Sequence, residues 1–121
     1  MPDVRSQRIY SWALETALHC VVDGAAIAQA GADYRRLGGA QAWLLDVSEG
    51  SPDPKDPLGV LPVIVAEVVA LRARGLQRVA LVAPPIVLVM LADVERQVAP
   101  VRVYPFGTRA EAIAWFAGGC R

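Results

Sequence analysis

Two six-residue stretches, residues 42–47 (AWLLDV) and 78–83 (RVALVA), are apolar at nearly every position. Apolar side chains in continuous runs this short do not alternate inside and out, as a half-exposed strand would. They fit strands covered on both faces, the pattern of parallel sheets flanked by helices. A parallel pair cannot be closed by a tight turn and needs a long crossover. The 30 residues between the two runs supply one: residues 58–74 carry Val60, Ile64, Val68 and Leu71 at helical spacing, with Leu61, Val65 and Val69 widening the stripe, and Gly75 is a suitable stop. Pro62 belongs in the first turn of that helix, because deeper in it the ring would clash with a carbonyl.

The flanking segments extend the alternation. Residues 9–14 and 17–22 are predicted as the two strands of a hairpin turning at Glu15 and Thr16, with the first strand antiparallel at a sheet edge. Residues 1–8 read as a flexible N-terminus. Asp23 and Gly24 stop the second strand, and Ile27, Ala30, Tyr34 and Leu37 place a helix before Gly38 and Gly39, with Gly31 an unfavourable residue in its middle. Residues 48–57 (SEGSPDPKDP) form a loop stiffened by Pro52, Pro54 and Pro57. After Pro84 and Pro85, residues 86–98 suit a helix, although their β-branched content keeps a strand open. Residues 101–106 (VRVYPF) read as a strand, and Thr108 to Glu111 as a capping box opening a last helix to about residue 117. The expected fold is a single-domain α/β protein over residues 1–121, order ββαβαβαβα, with a mostly parallel sheet and right-handed crossovers.

Composition limits the function classes. Twelve basic and twelve acidic residues cancel, which removes the electrostatic case for nucleic acid and leaves a homodimer open. The longest apolar runs, residues 58–71 and 79–92, are about 14 residues, short of the roughly 18 that span a bilayer, so no membrane span is expected. The polar start, MPDVRSQR, does not look like a secretory leader, and a cytoplasmic protein is expected. Cys20 and Cys120 are too few for a disulfide framework or a metal site.

Catalytic signatures are missing. None of Ser6, Ser11, Ser48 and Ser51 stands in a Gly-x-Ser-x-Gly frame, and neither phosphate-binding glycine pattern occurs. His19, the sole histidine, sits beside Cys20 in a predicted strand, where neighbours point to opposite faces and cannot form a dyad. Asp46 at a strand end, with Asp53 and Asp56 after it, could in principle hold a divalent metal or accept a phosphoryl group. The acidic partner and the distant lysine that such a site requires are not in place, since Lys55 is the sole lysine and lies in the loop itself. Near a helix start, Asp53 and Asp56 are favoured simply by the helix dipole. No catalytic residue, metal or cofactor is expected.

The ending VRVYPFGTRAEAIAWF, with Glu111, Ala112, Trp115 and Phe116, together with the junction Leu45-Asp46-Val47-Ser48 and Asp56-Pro57-Leu58-Gly59-Val60, resembles the STAS family over roughly residues 9–117. It is especially similar to the SpoIIAA-like anti-sigma-factor antagonists and related STAS/SEC14-like bacterial proteins. The resemblance implies a non-enzymatic regulatory or scaffolding module. Its protein partner would be a kinase-like, sigma-pathway or other signalling protein. Docking would centre on Asp56, Pro57, Leu58, Gly59, Val60 and the helix that follows, with Pro84 and Pro85 as neighbours. The family loop reads Asp-Ser-Ser-Gly-Leu and is switched by phosphorylation of a serine. Here Pro57 and Leu58 replace both serines, so that switch is absent. The apolar excess, 55% of residues, also permits a small-molecule or lipid binder with an apolar cavity, as the SEC14-like relatives suggest.

Overall fold

The computed structural model describes residues 3–56, 59–83 and 91–118. The chain runs β1 (Val4–Tyr10), β2 (Ala13–Leu18), β3 (Val21–Val22), α1 (Gly24–Leu37), β4 (Ala42–Asp46), β5 (Ser51–Pro52), α2 (Val60–Arg72), β6 (Arg78–Val82), α3 (Leu91–Val98), β7 (Arg102–Phe106) and α4 (Arg109–Ala117). Five strands form one sheet in the order β1-β2-β4-β6-β7. β1 is antiparallel to β2, and every later neighbour is parallel. β3 and β5 make a separate two-stranded parallel sheet.

The two apolar runs are the central strands β4 and β6, and their inner positions are fully buried, as continuous patterns require. Because β2, β4, β6 and β7 follow one another across the sheet in chain order, right-handed crossovers carry the connecting helices to the same face. There Leu14, Leu18, Trp43, Leu45, Val79, Leu81 and Val103 of the strands pack with Ile27, Tyr34, Ile64, Val68, Leu71, Val94 and Val98 of α1, α2 and α3. The opposite face holds a smaller core in which Ala112 and Phe116 of α4 meet Ala13, Ala42, Leu44, Ala80 and Val82.

Several expectations need correction. The hairpin turns at Ser11 and Trp12, and Glu15 and Thr16 lie mid-strand, opposite Gln7 and Ser6. Residues 4–8, expected to be flexible, form most of β1. As an edge strand β1 carries polar residues that resemble a tail, yet its backbone is paired along its length. Glu15 and Thr16 look like turn residues, but both are buried with hydrogen-bond partners. The Thr16 hydroxyl accepts from the Trp43 indole at 3.0 Å and bonds to Ser6 at 2.9 Å, and Ser6 donates to Asp33 of α1 at 2.7 Å. His19 falls outside the strands and is exposed. The stiff loop contains β5, which the sequence pattern did not suggest.

Other local expectations are met. Pro62 is in the first turn of α2, and Pro105 lies in β7, an edge strand where a missing N–H is tolerated. Residues 91–98 are helical; residues 86–90, with Leu88 and Val89, lie outside the described residues. Asp23 does more than stop a strand: it caps α1 by accepting from the Ala26 amide at 2.9 Å. Thr108 accepts from the Glu111 amide at 3.2 Å, and its hydroxyl donates back to the Glu111 carboxylate at 3.0 Å. Gly31 is explained by a close approach of helices, since a Cβ there would sit 1.8 Å from Glu67 Oε1 of α2.

Candidate functional site

α4 has nine residues and so spans roughly 14 Å. It covers β6, β7 and the starts of β2 and β4, but not the C-terminal halves of β2 and β4. That uncovered corner is a cleft of about 530 Å³ lined by Gln7, Glu15, Ala17, Asp46, Ser48 and Arg109, with Arg5, His19 and Glu49 at its rim. The sheet register explains the grouping. Ala17 pairs with Arg5 on one side and Asp46 on the other, and Glu15 pairs with Gln7 and Leu44. A methyl side chain at Ala17 makes the hollow, and longer polar side chains on adjacent strands wall it. The place, outside the carboxyl ends of parallel strands, is where open α/β sheets commonly bind ligands.

Glu15 is 4% exposed, and an unpaired carboxylate could not remain charged there. Arg109, the first residue of α4, donates Nε to Oε2 and Nη2 to Oε1, the latter at 3.0 Å, while Gln7 donates to Oε1 at 2.8 Å. Burial is the largest influence on Glu15 and pushes its pKa up, but the Arg109 and Gln7 hydrogen bonds and the Arg109 charge together outweigh it and hold the carboxyl below its ordinary value. The same pair raises the Arg109 pKa, chiefly through the hydrogen bond to Glu15 and with a smaller contribution from Asp46. Asp46 is also buried; its Oδ1 accepts from the Ser48 amide at 2.9 Å and hydroxyl at 2.6 Å.

The residues proposed from sequence lie elsewhere, at the start of α2. Asp56 is exposed, and Gly59 donates its amide to the Asp56 carbonyl at 3.1 Å. A Cβ on Gly59 would meet Asp56 Oδ2 at 2.3 Å, so the carboxylate covers the first turn, where the helix dipole favours it. Asp53 accepts from the Lys55 amide at 2.9 Å in a local turn. Val60 is a core residue, 9% exposed, and offers no surface. Pro57, Leu58, Pro84 and Pro85 lie outside the described residues. Along the rest of α2, Pro62, Ala66, Val69 and Ala70 face outward, and Val65 is half-buried. Leu61, Pro62 and Val65 border a groove of about 180 Å³ with Asp93, Val94 and Gln97 of α3.

Among the described residues no three His, Cys, Asp or Glu side chains come together to chelate a metal. No described helix is long and apolar enough to cross a membrane. The cleft was not foreseen from the sequence. The sequence places Glu15 in a turn, and nothing local to it signals a partner 94 positions away in the chain. Of the lining residues, the sequence points to Asp46 as a strand-end carboxylate and sets Ser48 and His19 aside as catalytic groups. Comparison with protein-family models and with the curated proteins finds no match for this chain.

Proposed function

We propose that this chain is a non-enzymatic, STAS-like regulatory or scaffolding module that binds a protein partner through the corner at Asp56 and Gly59 and the outward face of α2. The observation that carries this reading is the apolar character of α2 on its solvent side. Val60, Leu61, Ile64, Val68 and Leu71 already satisfy the core, yet Val69 remains 36% exposed, in line with Ala66 and with Pro62, which borders the α2–α3 groove. A surface helix normally carries polar residues there. An exposed apolar strip bordered by Asp93 and Gln97 has the make-up of a docking surface. The parallel sheet, the antiparallel first strand and the small β3–β5 pairing at the same corner are compatible with the resemblance.

The test is affinity capture from the source cells with the wild-type chain and three variants. Val69→Glu places a charge on the strip, Asp56→Lys reverses the corner, and Ala110→Glu is a control on α4. The expected result is one partner retained by the wild type and Ala110→Glu and lost with Val69→Glu and Asp56→Lys. Equal capture by all four chains would remove the reading.

A further inference from the structure

We infer that the cleft beside α4 binds a small organic cation, a primary ammonium or guanidinium compound, with Asp46 as its anchoring carboxylate. This site is on the face of the sheet opposite α2, and the inference does not depend on the docking surface described above.

Asp46 is 7% exposed, and a carboxylate so largely buried is stabilised by a donor at each oxygen, from protein, solvent or ligand. Oδ1 has two, the amide and hydroxyl of Ser48. No described residue donates to Oδ2, although Asp46 lines the cleft. Glu15, two rungs away on the same face, shows the contrast: both of its oxygens are taken by Arg109 and Gln7. One buried carboxylate is therefore complete, and its neighbour, at the lining of an open hollow, keeps one oxygen with no donor among the described residues.

Charge points the same way. Arg109 is held by Glu15, and Arg5 at the rim is held by Asp3 at 3.1 Å. The lining carries three carboxylates, Glu15, Asp46 and Glu49, against two arginines, Arg5 and Arg109, so acidic groups are in excess even though the Arg109 charge also reaches Asp46. A metal held by three or more His, Cys, Asp or Glu side chains is not provided for, since the described residues bring no such set together. A single buried carboxylate with one free oxygen suits a donor that arrives carrying its own charge and several N–H groups. Ammonium and guanidinium groups do so, and the charge-assisted bond is stronger than a neutral one. A volume of about 530 Å³ is in the range of small-molecule pockets. Ala17 supplies an apolar floor for the carbon stem.

The experiment follows backbone amide shifts of Ala17, Asp46, Ser48 and Glu49 by NMR while butylammonium, butylguanidinium and neutral butanol are titrated separately. The two cations should give saturable shifts at these residues, and butanol should not. Asp46→Asn keeps the shape and removes the charge, and should weaken binding about 10-fold or more, as expected for one charge-assisted hydrogen bond. Ala17→Leu leaves every charge in place and fills the hollow, and should weaken binding by a similar factor. It stands as the second variant should Asp46→Asn disturb the fold. Shifts that grow linearly without saturating, or binding unaltered in both variants, would overturn the assignment.

Discussion

At Glu15 a buried carboxylate is tolerated only because three donors from β1 and α4 converge on it. Its pH dependence follows from the sign of the shift. The folded pKa lies below the ordinary value of 4.5, so the native state holds the proton less tightly than the unfolded chain. The stabilisation is therefore complete above 4.5 and is lost as pH falls through the lower folded value. In Arg109→Ala, Gln7 alone opposes burial, and the pKa of Glu15 should move above 4.5. The dependence then reverses, with stability highest in acid and falling as Glu15 ionises. Arg109 is half-exposed, so water can replace part of its contribution, and the expected cost near pH 7 is about 2 kcal/mol. Urea unfolding at pH 3.5 and pH 7 measures both: the gap between wild type and variant should be wide at pH 7 and narrow at pH 3.5.

Close approach between elements sets different tolerances at two glycines. At Gly50 an added Cβ would lie 2.5 Å from Val22 Cγ2 and 2.9 Å from the Cys20 carbonyl oxygen, where β3 and β5 pair. Backbone cannot move aside without breaking that pairing, so Gly50→Ala should cost about 2 kcal/mol. At Gly31 the obstacle is the end of the Glu67 side chain, which can swing away at the expense of its 3.3 Å ion pair with Arg35. The loss of that partly exposed pair and the gain in helix propensity from alanine are each below about 1 kcal/mol, and Gly31→Ala should change stability by less than that. Chemical denaturation of the two variants beside the wild type tests the contrast. The last helix is locally encoded: the Thr108–Glu111 box marks its start in the sequence and in space. β1 is not, because an edge strand with Arg5, Gln7 and Arg8 reads as a solvated tail until its partner strand is known.

For the molecule as a whole, one-sided winding is the main consequence of the strand order. With the crossover helices on one face, α4 is what shields Ala13, Ala42, Leu44, Ala80 and Val82 on the other. A chain ending at Gly107 should therefore expose that surface, bind the dye ANS and self-associate, whereas the full chain should do neither to a comparable degree; dye fluorescence and sedimentation check this. The α/β class, the parallel central strands, the positions of α1, α2 and α4 and the strand-end site of Asp46 were all legible in the sequence. Each rests on periodicity or on a cap within a few residues. The small β3–β5 pairing and the meeting of Glu15, Asp46 and Arg109 were decided only by the tertiary structure. Strand register and helix docking bring together groups far apart in the chain, and no local pattern carries a charge's partner or the length by which a helix falls short of covering a sheet.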